Sequence, residues 1–293
     1  GVVSTLAGGA GGGLVDGPRE TARFYEPRGV AMHPDGTLDV ADARNGLVRR
    51  ISPAGNVSTL SFTRNGTAVT RFPFPEYIAL DESGVLYFRA EDSSLYWPLY
   101  AAQPSGQLRL LDTIPSFGLS AGPMGRLYMS DGRNVSYINT AGEGDALSSM
   151  RHAVASGFGT VLAVLAAPNG VVYVSDAADH TVRMVDSEGH VTLVAGQPGV
   201  AGQADGDSSQ ATLDRPAALA IDTAGNLYVA DISTIRKITP DGHVRTVAGT
   251  PGQTLATPGP LPGSIGTVKG LAWHAGMLYA TVQNAVLQIG PLD

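Results

Sequence analysis

The chain contains no cysteine, which removes disulfides, thiolate nucleophiles and cysteine-based metal sites together. Lysine is almost missing as well, with Lys237 and Lys269 alone among 293 residues. At a formal net charge of -7, the chain lacks the clustered Lys and Arg that dominate phosphate binding, so nucleic acid is not an expected partner. No stretch approaches the roughly 18 uninterrupted apolar residues of a spanning helix, which argues against membrane insertion. The first residues also lack the charged and apolar regions of a signal peptide. A soluble domain is expected.

Glycine and proline are abundant, at 38 and 19, while 43% of the residues are apolar. Many tight turns together with enough apolar surface for a core favour an all-β chain. Six segments bear this out as a pattern: GVAMHPDGTLDVAD from Gly29, YIALDESGVLYFRA from Tyr77, GLSAGPMGRLYMSD from Gly118, AVLAAPNGVVYVSD from Ala163, ALAIDTAGNLYVAD from Ala218 and GLAWHAGMLYATV from Gly270. Each reads as two strands joined by a glycine-bearing turn. The markers Leu38, Leu86, Leu127, Val172, Leu227 and Leu278 are spaced by 48, 41, 45, 55 and 51 residues. A period of that size with several strands per unit marks the blades of a propeller rather than a helical solenoid. Third and fourth strands follow in most units, as in Leu47 to Ile51 and then Val57 to Leu60, and four antiparallel strands make one blade. Innermost strands packed on both faces are expected to be almost wholly apolar.

The opening GVVSTLAGG echoes Gly189 to Gly196 and Gly242 to Gly249, where the string closes a longer unit. The last unit stops short of its fourth strand. Residues 1–8 are therefore expected to complete the blade formed by about 268–293 and to close a six-bladed ring, a single domain over 1–293. Closure by a strand from the opposite terminus covers an edge that would otherwise pair with other chains. A monomeric ring is expected, within a longer protein if the segment is a trimmed one.

The stretch from Leu213 to Asp231, followed by Ile235 to Gly249, resembles NHL repeats of the bacterial type. So does the connector Ala204-Asp205-Gly206 to Pro216, matched by Val15-Asp16-Gly17 to Pro27 at identical spacing. The resemblance covers the whole ring, strongest in blades one, four and five and weakest in two and three. It implies an all-β, six-bladed propeller, in a family that includes protein and RNA binding platforms, sensor domains and a few enzymes. It also implies an extracytoplasmic location, periplasmic or extracellular, in keeping with the absent cysteines and scarce lysines.

Several motifs bear on chemistry. Gly118-Leu119-Ser120-Ala121-Gly122 matches the G-x-S-x-G pattern, but that mechanism needs a strand-to-helix turn, and Ser120 falls on an inner strand in register with Ala31 and Ala79. The glycine run from Gly8 to Gly13 lacks the lysine of a phosphate loop and reads as a connector. Asp42, Asp131, Asp176 and Asp231 share one repeat position, where each is expected to accept backbone hydrogen bonds at the turn after the second strand. His33, His180, His190, His243 and His274 show no metal-ligand spacing. Glu26 and Glu76 lie just before inner strands, on the side that opens onto the central channel. Gluconolactonase-like and strictosidine-synthase-like propellers are similar in ring size and carry a functional glutamate there. That likeness implies an alternative, a hydrolase or lyase with a channel-mouth carboxylate and a channel calcium or zinc ion.

Aromatic residues depart most from the repeat. Nine of the 19 fall between Phe62 and Tyr100. The connector Arg71-Phe-Pro-Phe-Pro-Glu-Tyr77 is stiffened by two prolines, and ordered aromatic rings offer large contact area at low entropic cost. The expectation is a rigid binding or scaffold propeller recognising a protein, peptide or glycan ligand on the channel-mouth face. Phe72, Phe74 and Tyr77 would supply apolar contact, and Glu76, Arg71, Glu26 and Arg28 polar recognition. No catalytic residue and no cofactor is assigned, and the competing expectation makes the rings core packing of blade two.

Overall fold

The computed structural model describes residues 1–9, 11–90, 97–113, 115–140 and 151–292. Six antiparallel sheets follow one another around a ring, each with at least four strands in the order inner, second, third, outer. The inner strands are Pro27–Met32, Pro75–Leu80, Phe117–Gly122, Val161–Ala166, Pro216–Ile221 and Gly270–His274. Each turns back through a short hairpin into its second strand, as the glycine-bearing turns require. The chain is all-β and forms a six-bladed propeller.

Blade 6 takes its outer strand from the front of the chain. Val2–Gly8 runs antiparallel to Ala285–Gly290, pairing Val2 with Gly290 and Gly8 with Ala285. Val3 joins the apolar cluster between blades 5 and 6 with Ile235, Ile265 and Leu287, whereas Leu6 and Ala7 join the cluster shared with blade 1, containing Phe24, Val30 and Leu38. One strand therefore fills two inter-blade cores.

The distribution of burial differs from the expectation for the innermost strands. Every residue of the second strands Leu38–Asp42, Leu86–Ala90 and Leu227–Asp231 is buried, because those strands lie sandwiched between neighbouring blades. Inner strands such as Pro27–Met32 keep half of their residues partly open, since they line the channel. Crowding at the axis falls on glycine: a Cβ at Gly29 would stand 2.6 Å from the Glu76 carbonyl oxygen, and one at Gly270 2.4 Å from that of Arg28. Neither contact is sterically possible, so these glycines set how closely adjacent inner strands approach.

Two buried arginines tie the connectors down. Arg49 is fully buried and donates to Asp42 at 2.9 Å and, through Nε, to Asp16 at 3.0 Å. In blade 5, Arg236 repeats the arrangement, with Asp231 at 3.1 Å and Asp205 at 2.6 Å. Asp16 and Asp205 also accept the Thr59 and Thr246 amides at 3.0 and 3.1 Å. The matched Asp-Gly connectors are thus ionic latches joining a connector to its outer strand. A buried charge is tolerated only when paired and hydrogen-bonded, and each guanidinium here meets two carboxylates and backbone carbonyls.

The repeat aspartates belong to the same scaffold. Asp42 accepts the Tyr25 amide at 2.8 Å, Asp176 those of Gly159 and Thr160 at 2.8 and 2.9 Å, and Asp231 that of Asp214 at 2.6 Å. Most of their backbone donors lie in the connector leading into the blade, although Asp176 also accepts the Asp179 amide of the expected turn at 3.3 Å. Asp131 keeps the turn pattern throughout, accepting from Arg133 and Asn134. Burial pushes the Asp231 carboxyl up to about 6, against the opposing effect of the Asp214 amide and Arg236.

Candidate functional site

The six inner strands begin at one end of the channel and enclose a cavity of about 490 Å³ there. Two neighbouring repeat positions build it. The first holds Arg28, Glu76, Phe117, Leu162, Ala217 and Lys269, of which all but Phe117 line the cavity. Two residues further along come Val30, Ile78, Leu119, Val164, Leu219 and Leu271, all lining the cavity and all under 10% exposed. Both positions open onto the same cavity, so the charged groups of the first stand beside the buried apolar ring of the second.

Glu76 is held from two directions, by an ion pair with Arg28 and by Arg89 at 3.5 Å. The Arg28 guanidinium also lies over the Phe74 ring, 4.8 Å from its centroid, and Arg44 approaches the same ring at 5.7 Å. Arg44 in turn pairs with Glu26 at 3.1 Å. Glu26, Arg28, Phe74 and Glu76 thus form one continuous rim network on blades 1 and 2. Tyr77 lines the cavity beside it, 5.1 Å from Arg89, and burial together with the Glu76 charge pushes its phenol up.

Four of the expected contact residues stand outside the cavity lining: Glu26 and Phe74, which reach it only through Arg44 and Arg28, and Phe72 and Arg71, which do not join the network. Phe72 is 3% exposed and sits in the core of blade 2, its ring centroid 4.7 Å from that of Phe88 and 5.8 Å from that of Phe62. It is packing, not a ligand contact, which corrects the expectation. Arg71 is exposed and donates to the Asn45 carbonyl at 3.0 Å, outside the cavity lining. Tyr96, another of the clustered aromatics, lies outside the described residues.

Sequence reasoning missed Lys269 and Arg215, both exposed and both lining the cavity. The signal existed. Lys269 precedes Gly270 as Arg28 precedes Gly29, and Arg215 precedes Pro216 as Glu26 precedes Pro27 and Phe74 precedes Pro75. Glu26, Phe74 and Arg215 all adopt left-handed backbone, with φ of 48°, 42° and 56°. Such a conformation is rare for non-glycine residues and disfavoured before proline. Its recurrence marks the residue that leads into these three inner strands, and of the three Arg215 reaches the cavity lining. Partial burial, followed by the Arg28 charge and to a smaller extent Arg215, lowers the Lys269 ammonium pKa, with Glu26 and Glu76 acting in opposition.

Ser120 lies on the inner strand of blade 3, 8% exposed, with its hydroxyl accepting the Ala166 amide of blade 4 at 2.9 Å. That hydrogen bond joins two blades and offers no strand-to-helix elbow. A fluorophosphonate probe is expected to leave Ser120 unlabelled in the native protein; stoichiometric labelling that vanishes in Ser120→Ala would reverse this assignment. Among the described residues no three His, Asp or Glu side chains are grouped to hold a metal ion. His33 contacts Asp39 at 2.7 Å, and His180 accepts the Arg215 amide at 3.2 Å, so both act locally.

A model of the teneurin NHL domain matches residues 199–289. Teneurin-1 of Mus musculus is 26% identical over 247 residues, 80% of this chain and 8% of that protein. The chain thus spans about 8% of the length of the curated relatives it matches. Among solved structures, an auxiliary nutrient binding protein from Bacteroides thetaiotaomicron superposes with a TM-score of 0.76 at 16% identity, over 99% of this chain and 76% of that one. A putative gluconolactonase superposes with a TM-score of 0.63 at 16% identity, over 98% and 91%. At such identities the structural likeness shows the fold alone.

Proposed function

Because the chain is an NHL-type six-bladed β-propeller, we propose that it is a rigid binding module that recognises a protein, peptide or glycan ligand at the mouth of its central channel. The observation that carries this reading is the cavity itself, where the inner strands of all six blades converge on one concave space that combines an apolar ring with charged groups. Sites of this kind, preformed and apolar with a few placed polar groups, are the usual form of ligand pockets. The likeness to an auxiliary nutrient binding protein agrees with binding. A periplasmic or extracellular place in a bacterium is part of the same proposal. No helix of the described residues is long and apolar enough to cross a membrane.

The alternative is a hydrolase or lyase built on a channel-mouth carboxylate with a calcium or zinc ion. The donor set does not fit that ion. Around Glu76 stand Arg28 and Arg89, and the remaining charged groups of the lining are Arg215 and Lys269, so a cation would meet cations. Thr267 is exposed and lines the cavity. Thr267→Trp is expected to abolish wild-type hits on peptide and glycan arrays without moving the melting temperature. Hits that survive the plugged mouth would place the site elsewhere on the ring.

A further inference from the structure

Resting on the channel-mouth reading, we infer that the ligand enters by a carboxylate, held by Lys269, Arg215 and Arg28, with an apolar body seated on the apolar ring beside them. A chain of net charge -7 with two lysines brings three cations from blades 1, 5 and 6 to one cavity. Lys269 and Arg215 have no ion-pair partner among the described residues. Like charges gathered in a concave site with low-dielectric walls focus a positive potential there; burial first, and then the Arg28 charge, lower the Lys269 pKa.

The apolar ring selects the rest of the molecule. Val30, Ile78, Leu119, Val164, Leu219 and Leu271 form a ring of apolar side chains beside the charged groups, which a hydrocarbon portion covers better than water does. Glu76 already takes part of the Arg28 fork, so the head need offer only two oxygens to the remaining donors, as a carboxylate does.

The two lysines make a direct test practical. Reductive methylation with ¹³C-formaldehyde keeps the ammonium charge and labels Lys269, Lys237 and the amino terminus, with Lys269→Gln assigning the signal. Hexanoate, 1-hexanol, hexyl phosphate and acetate then separate head from body. Hexanoate is expected to give a saturable shift of the Lys269 signal, with affinity falling roughly ten- to a hundredfold for 1-hexanol and for hexanoate on Arg215→Asn, as for loss of a charged hydrogen bond. Asn suits the left-handed backbone at that position, so the variant removes the charge without added strain. Acetate is expected to bind more weakly than hexanoate because it leaves the apolar ring bare.

Equal affinity for 1-hexanol and hexanoate, with the Gly29 and Gly270 amides perturbed, would overturn the carboxylate and leave the channel-mouth reading standing. Hexyl phosphate binding more tightly than hexanoate would assign the head to phosphate and overturn the inference as stated. No saturable shift with hexanoate overturns it too, and the Thr267→Trp screen then decides the broader reading separately.

Discussion

Deleting residues 1–8 is expected to lower the unfolding free energy by about 5 kcal/mol, a large share of the total for a domain. Val3, Leu6 and Ala7 are 2%, 7% and 0% exposed, and burying Val and Leu side chains is worth roughly 1.5–3 kcal/mol each. The deletion also strips the outer side of Ala285–Gly290 of its backbone partners along the pairing from Val2 to Gly8. Each lost ladder bond adds about 1 kcal/mol at most, because water replaces it. The two clusters that Val3 and Leu6 plug would open on both flanks of blade 6. Urea denaturation should show a lower midpoint, the melting temperature should fall by about 10 °C, and size-exclusion chromatography should show self-association through the bared edge. A truncated protein that melts within about a degree of the parent and stays monomeric would mean that the strand decorates the ring without closing it.

Much of this architecture was legible because propeller blades are written in local terms. Each hairpin needs an apolar run, a glycine turn and a second run within fifteen residues or so, and the closure showed in a string that recurs at the end of other units. What stayed hidden depends on pairs far apart in sequence. The Asp16 and Asp205 connectors could be matched by spacing, yet their partners Arg49 and Arg236 sit in third strands, 33 and 31 residues on. Arginine is almost never fully buried without a partner, so an arginine in a buried strand position was the clue to seek an aspartate. The rim shows the same limit. Arg28 and Lys269 come from opposite ends of the chain and meet only because the ring closes, so the cationic mouth shows in the sequence only when the blades are laid over one another at the residue before Gly29 and Gly270. Phe72 was grouped with Phe74 for a geometric reason: residues two apart share a side in regular strand, but the left-handed turn at Phe74 separates them.

That separation yields the second large effect, a pair of alanine variants two residues apart with opposite consequences. Phe72→Ala is expected to cost about 3–5 kcal/mol, the usual penalty for truncating a buried phenylalanine. Its ring packs edge-on against Phe88 at 4.7 Å and lies 5.4 Å from Tyr100, so the hole would be lined by rings that cannot collapse without leaving their own contacts. Phe74 is half-buried, and its contacts are the guanidinium groups of Arg28 and Arg44. Cation–π contacts at such open sites are worth about 0.5–1 kcal/mol each, which caps the loss for Phe74→Ala near 2 kcal/mol. Part of that loss is recoverable, because Phe74 holds a φ of 42° that glycine adopts freely and alanine does not. Phe74→Gly should therefore be at least as stable as Phe74→Ala, the reverse of the order found in ordinary strand. Ligand binding should follow the opposite ranking: both Phe74 variants release Arg28 from its stacked position and alter affinity at the mouth, while any folded Phe72→Ala protein keeps it. Chemical denaturation of the three variants beside the parent decides the matter. If Phe74→Ala costs as much as Phe72→Ala, the ring at 74 is core and the rim network described here does not exist. If Phe72→Ala leaves the midpoint unmoved, the aromatic cluster of blade 2 is not the packing that its geometry describes.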